Sequence, residues 1–351
     1  KGQLRAALRV EELFWKQKAR VRWLQEGDRN TRFFHSVVKN RRVRSIIHRI
    51  RNGQGEWVES DDGIGVEAIR YFEGLFTDQR PASSSELLQH IPTILTDEEN
   101  DLLEQFPSAV EIRNAVFAMD GESAPGPDGY TGKFFTVAWS VVGADVVSAV
   151  CSFFCGAELP RAITATSIAL IPKVGHPQDF SQFRPISLCN FVNKLISRIL
   201  ADRLARILPR IISPQQSGFV RGRLISDNFL LAQELLSNIG RTSRNADVAL
   251  KLDMSKAYDR VSWIFLTMVL RRFGFREQWI DRIWRLVSNV WFSVLINGAS
   301  VGFFKSTRGL RQGDPLSPGL FIIGAEVLSR SLNQLVEHRE FKCFSVPRGC
   351  P

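Results

Sequence analysis

The chain has 351 residues, 44% of them hydrophobic, which supplies enough apolar side chain for two or three cores. Its 46 Lys and Arg against 36 Asp and Glu give a net charge of +10, a balance that suits an anionic partner such as nucleic acid. No run reaches the ~18 consecutive apolar residues of a membrane helix, the start Lys1-Gly-Gln-Leu-Arg5 is no secretory signal, and five cysteines cannot form a fully paired disulfide scaffold.

The positive charge sits at one end. Residues 1–52 hold 15 Lys and Arg against 4 Asp and Glu, whereas residues 53–351 hold 31 against 32. Phe14, Trp15, Trp23, Phe33 and Phe34 are interleaved with the cations. Such a stretch can neutralise phosphates and stack bases. A helical pair whose Arg stems lie along a core-facing stripe accounts for it equally well. Residues 1–38 are predicted to be mostly helical, with a break at Glu26-Gly-Asp28. The run Lys39-Asn-Arg-Arg-Val-Arg44 offers Arg41, Arg42 and Arg44 to nuclear import, to RNA or to solvent.

Further along, Ser45–Arg51, Asn52-Gly-Gln-Gly55 and Glu56–Val58 read as a hairpin. Gln79–Ser85 reads as an exposed loop, residues 97–119 as helical and Ser123–Gly129 as a rigid turn. Cys151 and Cys155 lack the His partners of a zinc finger and read as buried free thiols. Ile168–Ile171 reads as a strand. Leu195, Ile196, Ile199, Leu200, Leu204, Ile207 and Leu208 form a helical core stripe, with Arg198, Asp202, Arg203 and Arg206 opposite. Val248, Leu250 and Leu252 alternate as in a half-buried strand that ends on Asp253. The next helix carries Val261, Ile264, Phe265, Met268 and Val269 on its apolar face and ends at Gly274. Trp291–Ile296, Asn297-Gly298 and Ser300–Phe304 form a second hairpin, because Asn-Gly is the strongest two-residue hairpin turn. A last helix has Ser317 as candidate N-cap, Pro318 at its first position, and Phe321, Ile322, Ala325, Leu328, Leu332 and Leu335 as its stripe.

Several of these places carry chemistry. An acid at a strand end can hold a divalent cation or cap a helix, so Asp253 has two readings. Tyr258, five residues on, can wall a nucleotide pocket. Gly313 allows close backbone approach, and Gln312 both donates and accepts hydrogen bonds. Lys173 and Arg184 suit a triphosphate, or are solvated surface cations. Ser213-Pro-Gln-Gln-Ser-Gly-Phe-Val-Arg221-Gly-Arg223 is a glycine-punctuated basic loop.

Six motifs then stand in order: Ala-Pro-Gly-Pro-Asp128-Gly129, Ile-Pro-Lys173, Phe183-Arg-Pro-Ile-Ser-Leu188, Gln216-Ser-Gly-Phe-Val-Arg-Gly-Arg223, Leu252-Asp-Met-Ser-Lys-Ala-Tyr-Asp259 and Arg311-Gln-Gly-Asp-Pro-Leu-Ser-Pro318. From about residue 20 onward the chain closely resembles the reverse transcriptase of plant LINE-type (non-LTR) retrotransposons. The resemblance implies an RNA-directed DNA polymerase of α+β fold, with fingers and palm of a right-hand polymerase. Asp253 then matches the first metal-binding aspartate, and the Met254 carbonyl lies where the family also touches metal. Tyr258 matches the aromatic gate that excludes a 2′-OH. Gln312 and Gly313 match the loop lining nucleotide and template, while Lys173 and Arg184 match finger residues gripping the triphosphate. These groups are expected to converge on one nucleotide cavity. Asp259 has no metal role in the family and reads as a helix-start acid. Arg41, Arg42, Arg44, Arg221 and Arg223 are the expected nucleic-acid contacts. The cofactor implied is Mg²⁺ or Mn²⁺; the partners are an RNA template, a DNA primer or target, and deoxynucleotides, with no membrane. Nuclear localisation is the matching expectation.

One family element has no counterpart. The later Phe/Tyr-Ala-Asp-Asp hairpin, whose acids complete the metal site, does not occur, and Val346–Pro351 resembles the stretch just before it. The expectation is a truncated copy or fragment, with residues 1–60 as basic extension, 61–245 as fingers, 246–351 as partial palm (the 291–304 hairpin belonging to either) and no thumb. Such a fragment is expected to be inactive alone and to leave an unpaired strand edge near Asp253. The alternatives are a catalytically dead RNA-binding relic and a domesticated interaction module.

Overall fold

The computed structural model describes residues 2–19, 36–77 apart from 41, 42 and 44, 86–236, and 249–338. The fold is mixed α/β. Its main sheet has four strands, β3 (Ala165–Pro172), β4 (Phe183–Cys189), β5 (Trp291–Ile296) and β6 (Ala299–Lys305), in the order β4-β3-β5-β6. A two-stranded sheet, β1 (Ile50–Arg51) with β2 (Trp57–Val58), is antiparallel with Ile50 opposite Val58. The chain forms two compact units, one of Lys1–Ile69, Leu170–Arg184 and Val294–Gly302, the other of Arg70–Ala169, Pro185–Ser293 and Phe303–Pro351. They do not follow the boundaries at 60 and 245 read from the sequence.

In the first unit, helix α1 (Gly2–Ala19) exposes Leu4, Leu8, Val10 and Phe14. The break expected at residues 26–28 lies outside the described residues, as do the loop at 79–85, Cys343 and Cys350. The β1–β2 hairpin turns where predicted, because the Asn52 side chain accepts from the amides of Gln54 (3.0 Å) and Glu56 (2.9 Å). Asn297 and Gly298 turn β5 into β6 with φ of 50° and 90°, the left-handed pair that a two-residue hairpin demands. The Asn297 carboxamide also accepts from Ile47 N at 2.8 Å and donates to Ile47 O at 3.1 Å.

The second unit holds the larger core. Helix α2 (Phe191–Leu204) buries Leu195, Ile196, Ile199, Leu200 and Leu204, as the periodicity requires. Arg203 departs from the expected polar face. It is buried, with hydrogen bonds to Glu111 at 3.0 and 2.9 Å and to the Leu103 carbonyl at 3.0 Å. The spacing accounts for this, since position 203 follows Ile196 and Ile199 by seven and four and shares their stripe. Helix α3 (Trp263–Phe273) starts on Ser262, which accepts from Phe265 N, and stops at Gly274 with φ 95°. Its buried face is Leu266, Val269, Leu270 and Phe273, so Ile264 lies outside. Helix α4 (Ser317–Glu337) is capped by Leu316, and Ser317 already lies within it. The Leu316 amide donates instead to Asp314 Oδ1 and Ser197 Oγ, at 3.0 and 3.2 Å. Of its stripe Ile322 is buried, Phe321 and Ala325 are half-buried, and Leu328, Leu332 and Leu335 are exposed. Cys189 is buried, but Cys155 is exposed, so the pair 151 and 155 is not a buried thiol pair.

The strand expected at 248–253 does not form. Residues 249–254 have no regular structure, and Leu250 and Leu252 are 77% and 67% exposed. An extended segment is stabilised by a paired neighbour, and among the described residues no strand pairs with it. Amides of residues 249–254 are therefore expected to exchange within seconds while those of 195–204 stay protected, which hydrogen exchange with mass spectrometry reads directly. Equal protection in both would show that the segment is paired in solution.

Candidate functional site

In the second unit the glycine loop 308–316 is fastened on three sides. Toward residues 258–263, Leu310 N donates to Tyr258 O at 2.7 Å, Gly309 N to Val261 O at 2.8 Å, and Trp263 Nε1 to Gly309 O at 2.7 Å. Gln312 Nε2 donates to Asp259 Oδ1 at 2.8 Å, linking side chains 53 positions apart. Asp259 is thus buried, in the first turn of a short 3₁₀ helix (Tyr258–Arg260). Toward β4, Ser187 N donates to Gln312 O at 2.9 Å. Toward α2, Arg311 donates to Asn193 Oδ1 at 3.0 Å and pairs with Asp314 at 2.7 Å, and Asp314 Oδ1 accepts from Ser197 Oγ.

The ion pair is a buried one. Burial disfavours the Arg311 charge, but the Asp314 carboxylate beside it favours that charge, and the guanidinium is held above its ordinary range. Burial pushes the Cys189 thiol up, so it stays protonated and inert. Gly313 takes φ 101°, a left-handed conformation that follows from its missing Cβ. The Tyr258 ring is half-buried and stacks on Phe321 at 4.8 Å, and burial raises its hydroxyl.

The turn at 123–129 sits against the first residues of α2. Asp128 N donates to Asn190 Oδ1 at 3.1 Å, and Lys194 Nζ donates to Ala124 O at 3.1 Å. A Cβ on Gly126 would stand 2.3 Å from Asn190 Oδ1 and 2.4 Å from Asn190 N. Gly126→Ala is therefore expected to cost about 1–3 kcal/mol by overpacking, seen as a lowered urea midpoint at unchanged m. A midpoint equal to wild type would show that the turn moves aside freely. Between this turn, α2 and the glycine loop lies a cavity of about 350 Å³ lined by Ser123, Tyr130, Lys194, Arg198, Gly313 and Pro315 among others.

The residues singled out from sequence divide as follows. Tyr258, Gln312 and Gly313 are brought together by the contacts above. Asp253 and Met254 are exposed, five and four positions before Tyr258. Lys173 and Arg184 belong to the first unit and are exposed, with Lys173 Nζ donating to Ser181 O at 3.0 Å. Arg221 is exposed. Arg223 is no free cation, since its guanidinium donates to the carbonyls of Ser213, Gln216, Pro209 and Ile212 at 2.6–2.9 Å. Its donors hold the loop 209–216. Arg41, Arg42 and Arg44 lie outside the described residues.

For a divalent cation, Asp253 and the Met254 carbonyl supply hard oxygen donors of the right kind. Among the described residues no group of three His, Cys, Asp or Glu side chains is placed to hold a metal. Asp259 and Asp314 are turned to Gln312 and Arg311. The donors thus fit a share in one Mg²⁺ or Mn²⁺ site, and a pair of cations needs further carboxylates. Sequence reasoning missed Arg311, Asp314, Asn193 and Ser197. The one available signal was the opposite charges of Arg311 and Asp314, three apart in a glycine loop.

The glycine loop is thus latched to an acid-bearing turn and to a strand of the main sheet. Residues 171–344 match the family described as reverse transcriptase (RNA-dependent DNA polymerase). The chain is 29% identical over 311 residues to the Transposon TX1 uncharacterized 149 kDa protein of Xenopus laevis, covering 88% of this chain and 24% of that protein. It is 29% identical over 298 residues to the Retrovirus-related Pol polyprotein from type-2 retrotransposable element R2DM of Drosophila melanogaster, covering 84% and 26%. A stretch of 65 residues is 56% identical to the Uncharacterized mitochondrial protein AtMg01250 of Arabidopsis thaliana, covering 18% and 53%. Residues 171–344 are a reverse transcriptase domain of the RNA-directed DNA polymerase family, similar to those of non-LTR retrotransposon polyproteins. The chain spans about a quarter of the length of the first two relatives. Reverse transcriptases use divalent metal ions, an RNA template, a primer and deoxynucleotides. No helix among the described residues is long and apolar enough to cross a membrane.

Proposed function

We propose that the chain contributes fingers and palm to an RNA-directed DNA polymerase of a non-LTR retrotransposon. The observation that carries this reading is the latch between Tyr258–Val261 and Gly309–Gln312, which joins the two motifs that must face one nucleotide. The reaction is in-line attack of a primer 3′-oxygen on the α-phosphate of a deoxynucleotide. When bound, divalent cations, Mg²⁺ by the hardness of the donors, supply charge stabilisation at the attacking and leaving oxygens. Asp253 and the Met254 carbonyl hold the chain's share of that charge. The Tyr258 ring, fixed by Phe321, occupies the space a 2′-OH would need. The Gln312-Gly313 backbone, held by Ser187, offers a surface against which base and template lie. Lys173 and Arg184 neutralise the triphosphate, and Arg221 meets template phosphates. Arg41, Arg42 and Arg44 add RNA contact or a nuclear-import signal, in keeping with a nuclear site of action.

Primer extension tests this reading. With a primed RNA template and added Mg²⁺, the reading predicts Mg²⁺-dependent binding of deoxynucleotides in preference to ribonucleotides, with incorporation expected only where the acid pair of a Phe/Tyr-Ala-Asp-Asp hairpin, which residues 1–351 do not contain, is also supplied. Salt-dependent RNA binding with neither incorporation nor Mg²⁺-dependent deoxynucleotide binding would favour a purely RNA-binding role and overturn the polymerase reading.

A further inference from the structure

Phe219 stands out in the second unit. Its backbone is left-handed at φ 64°, a conformation that bulky side chains rarely adopt, and its ring is 63% exposed. Neither the core nor a turn hydrogen bond of its own amide explains that geometry. The surrounding loop enforces it. Arg223 gathers four carbonyls of residues 209–216, and Gln216 Nε2 donates to Gly218 O at 3.0 Å. Ser213, at the loop's start, donates through N to Glu326 Oε1 at 3.1 Å, and Glu326 is itself buried and paired with Arg330 at 2.9 Å. The molecule thus presents an aromatic ring to solvent on a support that does not need it for stability.

What lies beside the ring indicates its use. Phe219 lines a cavity of about 300 Å³ together with Arg198, Asp202, Pro315 and Pro318. Arg198 and Pro315 also line the 350 Å³ cavity that holds Lys194 and Tyr130. The two cavities therefore adjoin at Arg198 and Pro315, with Phe219 lining one and Tyr130 and Lys194 lining the other. Asp202 and Asp120 balance those charges, but the Arg198–Asp202 pair, at 2.9 Å, is half-exposed and cheap to break. Rings with cations beside them match a single strand, whose bases stack and whose phosphates follow.

We infer that Phe219 is a fixed stacking platform for one base of single-stranded template RNA, which runs from Phe219 past Arg198 to Tyr130. The inference rests on the polymerase reading and names the part of that site that meets the template. The test uses the full chain and a fluorescently labelled 16-nucleotide oligouridine, titrated by anisotropy at several salt concentrations. Phe219→Leu, which keeps size and apolarity but not the π-face, is expected to weaken binding about 10-fold with an unchanged salt slope. Phe219→Tyr, the check on folding and strain, is expected to stay within about 2-fold of wild type, because the π-face that stacks is kept. Arg221→Gln is expected instead to lower the salt slope by about one. Wild-type affinity in Phe219→Leu, with salt-dependent binding intact, overturns the platform and leaves the polymerase reading standing. The same loss with oligodeoxythymidine but not with RNA overturns the template assignment. Absence of RNA binding by the wild type overturns both.

Discussion

Asp314→Ala is expected to remove about 3–5 kcal/mol of stability, because it leaves Arg311 charged and buried with no counter-ion. Arg311 is 6% exposed and Asp314 4%, so water cannot take over the lost partner. The effect is asymmetric. The double variant Arg311→Met, Asp314→Leu removes both charges together and is expected to recover most of the loss, since well-packed apolar groups replace a buried pair at little cost. Urea denaturation of wild type, Asp314→Ala, Arg311→Met, Asp314→Leu and the double variant measures this, with the coupling taken from the cycle of wild type and the last three. A loss below about 1 kcal/mol for Asp314→Ala would mean that the pair is solvated and behaves as a surface bridge. Ser197 and the Leu316 amide lose their shared acceptor in the same variant, so the start of helix α4 should loosen with the loop.

The second large effect concerns chemistry. In a chain that also carries the Phe/Tyr-Ala-Asp-Asp hairpin, Asp253→Ala is expected to reduce deoxynucleotide incorporation on a primed RNA template by at least about 10³-fold, since metal-borne stabilisation of the transition state is worth several kcal/mol. Stability should barely change, because Asp253 is exposed. That split, activity lost and folding kept, distinguishes a metal ligand from a structural acid. Incorporation that survives in Asp253→Ala would remove this residue from the reaction. With Asp259 and Asp314 already committed elsewhere, no other aspartate of the loop can stand in for it.

Much of this was legible from sequence where the determinant is local. The Asn297-Gly298 hairpin, the stripe at 195–204 and the stop at Gly274 each depend on a few neighbouring residues, and each stands where expected. The segment 248–253 has the alternation of a strand, but alternation states a preference for a partner and cannot supply one. Arg203 was read on the polar face of its helix, and the partners of Arg203 and Arg223, here Glu111 and four loop carbonyls, were not visible because tertiary folding sets them. The motifs at 253–259 and 308–318 were each visible. That they are tied together by Gln312 and Asp259 was not, since nothing local connects positions 53 apart.

The latch around the glycine loop also bears on the order of folding. Its ties reach Ser187, Asn193, Ser197, Tyr258 and Val261, with Ser197 lying 117 positions before Asp314. Closing loops of that length is entropically slow and comes after local helices have formed. The glycine loop is therefore among the last parts to take shape. During synthesis the residues up to about 310 must wait for Arg311 and Asp314 to leave the ribosome, so a nascent chain stays incompetent until this stretch has been delivered.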